Sequence, residues 1–361
     1  MFDFSKIQNS LRTKNYLCNM RYLLFPLSII YGSVMVIRNL LFDYGVFKSH
    51  SYNIPIICIG NLSIGGTGKT PHIQYIITLL KDKFNIAILS RGYGRDNSNL
   101  QYVNTSSNVH SVGDEPLQIK KNNPECLVLV EKNRNKGVKD IIRNHPQTEI
   151  ILLDDGFQHR WLKAGLNIII TTFSSPYYED YHMPLGALRE SRTEAARADV
   201  IIFSKSPNNS NSINRDKMIK KLSLLERQQA YFSNIQYSCI KSIKNNEQVN
   251  ELYKKSITLV TGIANPNYLI QHLKEEGHNI NHIKYSDHYN YNDNDITNIL
   301  EQYNKDISTD KIILTTEKDA VKLRNYKDIL DTTNVYYICI EINFEQKQKF
   351  EKQILDYVNQ N

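Results

Sequence analysis

The sequence predicts an α/β protein built on a doubly wound, mostly parallel sheet, and three observations carry that expectation. Short continuous apolar runs recur from Ile54 onward. Stretches with helical spacing separate them, beginning with Pro71–Leu80. A glycine-rich turn joins the first run to the first helix. Continuous apolar runs suit strands covered by helices on both faces, and a β-then-α alternation makes the strands parallel.

Taken in order, the first strand is expected at Ile54–Ile59. Further strands are expected at Ile86–Leu89, Cys126–Val130, Ile150–Leu153, Leu166–Ile170 and Val200–Phe203. The polar stretch Ser206–Asp216, SPNNSNSINRD, reads as a loop or linker. Beyond it, Ile257–Val260, Lys311–Leu314 and Val335–Ile340 suggest a smaller second α/β lobe. The chain then segments into residues 1–48, 49–205 and 206–361.

Ahead of the sheet, residues 22–37 read YLLFPLSIIYGSVMVI between Arg21 and Arg38, with Lys6, Arg12 and Lys14 upstream. The run is slightly short of the roughly 20 residues that cross a bilayer, and Pro26 and Gly32 interrupt it. No small-x-small cleavage site follows it. Two structures suit such a segment: a buried core helix, or a helix that dips into or marginally spans a membrane with basic ends at lipid phosphates. The second is the expectation.

With 41% hydrophobic and 22% charged residues, the chain can bury an ordinary core, which excludes a disordered class. Its net charge of +7 suits anionic partners. No basic-aromatic cluster accompanies that charge, so no nucleic-acid partner is expected. Cys18, Cys58, Cys126, Cys239 and Cys339 are scattered, without metal or redox spacing, as reduced thiols of a cytoplasmic protein are.

The most informative segment is Gly60–Pro71, GNLSIGGTGKTP. A strand before it and a helix after it are the setting of a phosphate-binding P-loop. Gly65, Gly66 and Gly68, around Thr67, let successive backbone amides converge on phosphate oxygens. Lys69 is placed for the β and γ phosphates, and the Thr70 hydroxyl for Mg²⁺. The helix adds its positive end, and Pro71 is tolerated in its first turn. Ser63 stands where the strict pattern has a glycine. These features make the expected fold P-loop NTPase-like.

A second motif follows the strand that ends at Leu153: Asp154-Asp155-Gly156-Phe157-Gln158-His159. A carboxylate at such a strand end reaches Mg²⁺ directly or through water. Either aspartate suits the inner position, leaving the other to orient Lys69 or the substrate. Gln158 and His159 sit just past it, near where the transferred phosphate would lie. Arg91 and Arg95, in SRGYGR after another strand, are candidates for phosphate or for a surface loop. Asp114 and Glu115 lie in a turn, where a carboxylate can orient a hydroxyl or accept its proton, or simply meet water. Asp287 and His288 adjoin, but neighbours on a strand point apart, so a more distant carboxylate would have to orient His288. The charged run Thr315–Asp319 ends a strand and suits a cleft or solvent equally.

Together these motifs resemble the tetraacyldisaccharide 4'-kinases of lipid A synthesis. The likeness rests on GNLSIGGTGKTP at 60–71, SRGYGR at 90–95, VGDEP at 112–116 and DDGFQHR at 154–160. PLGALRE at 184–190, TGIANP at 261–266, SDHYNY at 286–291 and TEKDAVKL at 316–323 extend it. The resemblance implies transfer of the γ-phosphate of ATP, with Mg²⁺, to the 4'-hydroxyl of a tetraacyldisaccharide 1-phosphate, giving lipid IVA. It implies Lys69 and Thr70 as the loop's phosphate and metal residues and Asp154 and Asp155 on the metal side. It also implies Asp114 with His288 as the catalytic pair and Arg189 as a contact for substrate or phosphate. Residues 16–46 would dock at the cytoplasmic face of the bacterial inner membrane. The implied partners are ATP, the acylated glucosamine disaccharide and the lipid surface, with no obligate protein partner. The competing class is a P-loop ATPase switch acting on a membrane partner. Ser204-Lys205-Ser206-Pro207 lacks the Asn-Lys-x-Asp of guanine-specific switches.

Overall fold

A computed structural model describes residues 24–207, 212–249 and 255–361. Cys18, Lys6, Arg12, Lys14, Arg21 and the start of the N-terminal segment lie outside the described residues. The elements run α1 (Phe25–Asp43), β1 (Ile56–Gly60), α2 (Lys69–Leu80), β2 (Ile86–Ser90), β3 (Gln101–Tyr102), α3 (Val109–Val112), α4 (Asp114–Asn122), β4 (Leu127–Val130), α5 (Arg134–Asn144), β5 (Ile150–Asp154), β6 (Leu166–Thr172) and β7 (Val200–Ser204). There follow α6 (Ser212–Leu222), β8 (Gln229–Ser242), β9 (Gln248–Val249), β10 (Ser256–Thr261), α7 (Asn267–Glu275), β11 (Asn279–Lys284), α8 (Asp293–Lys305), β12 (Lys311–Thr316), α9 (Glu317–Leu323), α10 (Lys327–Thr332), β13 (Val335–Phe344) and α11 (Lys347–Asn359).

The chain forms two compact units, each discontinuous in sequence: residues up to 69 with 149–234 and 344–361, and residues 70–148 with 235–343. The sequence instead suggests contiguous segments bounded at 48/49 and 205/206. In the first unit, β1 pairs in parallel with β5 on one side and β6 on the other, and β7 continues from β6 to the start of β8. Every residue of β1, β5 and β7 is buried, as a parallel strand covered on both faces requires. The register sets Ile59 beside Asp154, so the loop after β1 and the turn after β5 leave the sheet together.

In the second unit, β2 pairs with β4 in parallel and β3 edges β4 antiparallel. β11, β10, β12 and β13 form a parallel array. Alternate residues of its strands feed two apolar clusters, Val260 and Ile313 into one, Leu259 and Leu314 into the other.

One expectation needs correction, and one alternative falls. The polar stretch Ser206–Asp216 is only partly loop: residues 208–211 lie outside the described residues, and Ser212–Leu222 is helical. α6 buries none of its residues, so no apolar periodicity announces it. The buried-core alternative for α1 also fails. Its Ser28, Gly32, Asn39 and Phe42 face the protein, while Leu27, Ile30, Val34 and Ile37 are 54–61% exposed. The polar side is held inward: Ser28 Oγ donates to His182 O (2.7 Å) and Tyr31 Oη to Arg189 O (2.9 Å). By length and composition α1 is apolar enough to cross a membrane.

Candidate active site

The phosphate loop grows from the end of β1. Gly65 and Gly68 take φ of +121° and +90°, which a side chain would resist. The loop is braced from three sides. Asn61, fully buried, donates to Thr67 Oγ1 (3.1 Å). Ser204 Oγ at the end of β7 donates to Thr67 O (2.7 Å), and Lys205 Nζ to Gly66 O (2.7 Å). Ile64 N donates to Ala187 O (2.7 Å) and Arg189 N to Leu62 O (2.8 Å), so the PLGALRE segment runs alongside. Lys69 opens α2, and Thr70 follows it, largely buried.

The turn after β5 meets this loop. A Cβ on Gly60 would stand 2.6 Å from Phe157 Cβ, so the two backbones approach as closely as glycine alone permits. Asp154 is buried at the strand end. Asp155 follows at φ +50°, its N–H donating to Ile59 O (2.9 Å). Its carboxylate lies 3.6 Å from Lys69 Nζ and 2.9 Å from Arg189 Nη1. Gln158 donates to Asn61 O (2.8 Å) and accepts from Arg38 on its carbonyl, so its amide braces the loop. The His159 ring packs near Trp161, with centroids 5.6 Å apart. Lys69, Asp155, Arg189 and Gln158 are thus gathered at one strand edge.

In the second unit, Gly113 takes φ +92° and delivers Asp114 to the start of α4. Asp114 is buried, and its Oδ1 accepts from Glu115 N (2.9 Å). His288 Nδ1 lies 3.0 Å from Oδ2, although 174 residues separate the two. Lys322 Nζ stands 3.2 Å and Lys318 Nζ 3.8 Å from the same oxygen. Burial by itself would push the Asp114 carboxyl up. The His288 hydrogen bond and the Lys318 and Lys322 charges outweigh it and hold the carboxyl far below the usual carboxylate range. His288 sits in a turn at φ +58°, not on a strand, and its own N–H donates to Asp287 Oδ1 (3.1 Å). The distant carboxylate required of His288 is Asp114.

Arg95 is tied to its own loop, donating to Asn99 O (2.6 Å) and Ser98 O (3.3 Å), while Arg91 is exposed. Tyr93, between them, packs on His288 with ring centroids 5.5 Å apart.

A family model for tetraacyldisaccharide-1-P 4'-kinase, LpxK, matches residues 20–359. The chain belongs to this family. A tetraacyldisaccharide 4'-kinase of Bacteroides thetaiotaomicron is 39% identical over 94% of this chain and 93% of its own length. Another, of Flavobacterium psychrophilum, is 40% identical over 94% and 97%. A crystal structure of LpxK from Aquifex aeolicus in complex with ATP superposes with a TM-score of 0.74 at 28% identity, covering 94% of this chain and 99% of that one. The chain is therefore a tetraacyldisaccharide 4'-kinase of lipid A biosynthesis.

Several residues of this 4'-kinase site escape sequence reasoning. Lys205 and Ser204 brace the loop from β7, more than 130 residues away in sequence. Glu190 is completely buried between Arg38 (3.1 Å) and Arg197 (2.7 Å) and ties α1 to the Arg189 segment. Lys318 and Lys322 carried a readable signal: their four-residue spacing puts both ammoniums on one face of α9.

Proposed function

We propose that this kinase transfers the γ-phosphate directly and in line, with ATP on the loop 65–70 and the acceptor 4'-hydroxyl served by Asp114 and His288. The observation that carries this reading is the contact at 3.0 Å between buried Asp114 and half-buried His288. A nucleotide-driven switch has no use for such a pair, whereas a hydroxyl nucleophile must be oriented and must lose a proton. Asp114 and His288 act on that proton as one unit, because the two side chains are in direct contact. In this reading Lys69 and the loop amides, with Gly65, Gly66, Thr67 and Gly68, hold the triphosphate; the Aquifex relative was crystallised in complex with ATP. Arg189 and Asp155 keep Lys69 aimed.

The donors near the loop fit Mg²⁺, which takes hard oxygens and few protein ligands. Thr70 offers a hydroxyl and Asp154 and Asp155 offer carboxylates. Among the described residues no group of three His, Cys, Asp or Glu gathers into a closed metal site. Asp155 already serves two cations, which favours Asp154 for the metal. The ion would supply charge neutralisation on the phosphates. The exposed apolar side of α1 docks the kinase on the cytoplasmic leaflet of the inner membrane, where its acylated acceptor resides.

The test is incubation with γ-labelled ATP, with and without Mg²⁺, against a panel of acylated glucosamine disaccharides. Label should enter the 4'-phosphomonoester of the lipid, giving lipid IVA from the tetraacyl 1-phosphate. Magnesium-dependent ATP hydrolysis that ignores the lipid would favour the switch instead.

A further inference from the structure

Lys318 Nζ lies 3.0 Å from His288 Nε2. An ammonium has hydrogens to give and no lone pair, so Nε2 must be the acceptor and cannot carry the ring proton. That proton then sits on Nδ1, which faces Asp114 Oδ2 at 3.0 Å. We propose that Lys318 is a positioning residue that fixes His288 as the neutral Nδ1–H tautomer and keeps Asp114 ionised for the acceptor hydroxyl. The inference rests on Asp114 and His288 being the acceptor-side pair.

The surroundings explain why this ammonium stays charged. Lys318 stands 3.6 Å from Glu115, 3.3 Å from Asp287 and 3.8 Å from Asp114. Burial alone would lower its pKa, but these three carboxylates raise it to about 12. The carboxylates would satisfy a purely structural lysine; the additional contact to Nε2 links it to the histidine. The groups against His288 are Asp114 of α4, Lys318 of α9, Asp287 of its own turn and the Tyr93 ring; Glu115 and Lys322 stand one contact further out, on Lys318 and Asp114. Without Lys318, Nε2 would lose the donor that holds it as an acceptor, and the ring could turn or change tautomer against Asp114. Lys322 has a different part. It neutralises Asp114 from the other side and donates to Tyr289 O (3.0 Å), holding the residue next to His288.

Nitrogen NMR of the full-length kinase in detergent, with labelled histidine, reads the tautomer directly. His288 should be neutral with its proton on Nδ1 at pH 7; an imidazolium or an Nε2–H ring there overturns the proposal. In Lys318→Met, the nitrogen spectrum of His288 should lose the signature of a single Nδ1–H form. At pH 7 kcat should fall roughly tenfold, with KM for ATP within about twofold of wild type. Lys318→Arg, which keeps the charge and the donor, should restore that signature. An unchanged His288 nitrogen spectrum in Lys318→Met, with turnover lost in Asp114→Ala and His288→Ala, would defeat this inference alone. Full turnover in those two alanine variants would defeat the pair itself.

Discussion

A single guanidinium nitrogen of Arg189 reaches both carboxylate oxygens of Asp155, at 2.9 and 3.1 Å. Lys69 approaches the same carboxylate from the phosphate loop at 3.6 Å. Asp155 thus restrains two cations that a triphosphate also attracts. Asp155→Asn is expected to bind ATP within about threefold of wild type while kcat falls roughly ten- to a hundredfold, since Lys69 and Arg189 keep their positive charge but lose the carboxylate that aims them. Lys69→Ala should lower kcat by at least about a hundredfold. Steady-state kinetics beside nucleotide titration checks both, and an undiminished kcat in Asp155→Asn would remove its aiming role.

Asp114 makes stability depend on acid. Its carboxyl titrates near about 3.9 in an unfolded chain, and His288, Lys318 and Lys322 together hold it far lower in the folded one despite burial. A depressed folded value means the stabilisation is complete above the unfolded value and fades as pH falls towards the folded one. Melting temperatures from pH 6 to pH 3 should therefore fall more steeply for wild type than for Asp114→Asn. At pH 7 the variant should be less stable by about 3 kcal/mol, because Lys322 is left buried without its counter-charge. Parallel curves would show that Asp114 is not the acid-sensitive group.

The membrane face can be followed without a label. Trp161 is the chain's one tryptophan, 40% exposed, its ring 4.9 Å from Phe42 of α1 and 6.3 Å from Phe47. Anionic vesicles should shift its emission to the blue, as expected of an indole entering the headgroup region. Placing Glu at Ile30, Val34 and Ile37 should abolish both the shift and co-sedimentation with vesicles, while leaving far-UV circular dichroism unchanged. Undiminished vesicle binding by that triple variant would refute docking through α1.

Lys205 offers a test of how the loop is braced. Its ammonium donates to Gly66 O at 2.7 Å. Lys205→Ala should raise KM for ATP roughly tenfold with kcat little changed, the size expected for one charge-assisted hydrogen bond. An unchanged KM would mean that Asn61 and Ser204 suffice to hold the loop.

How much of this was legible follows from what each element buries. β1, β5 and β7 are buried throughout, so their apolar runs located them to within a residue or two. β8 is half-exposed along most of its length and α6 buries nothing, so neither left a pattern to read. The loop 60–71 was plain because its chemistry is local. Asp114 and His288 stood apart in sequence until a family resemblance joined them, and Lys318 joined them only in three dimensions. The orientation of α1 was half legible: length and apolarity suit a core helix equally well. Yet Ser28, Gly32 and Asn39 fall on one side, and that side is the one turned inward, while Ser33 faces outward among the apolar residues.

A helix that points its polar atoms at its own fold and its hydrocarbon at the surroundings reverses the usual test of a well-folded product. For this chain, stickiness accompanies correct folding. Preparations stripped of detergent should self-associate with α1 intact, and a freely soluble fraction is the one to suspect of having lost that helix's native seat.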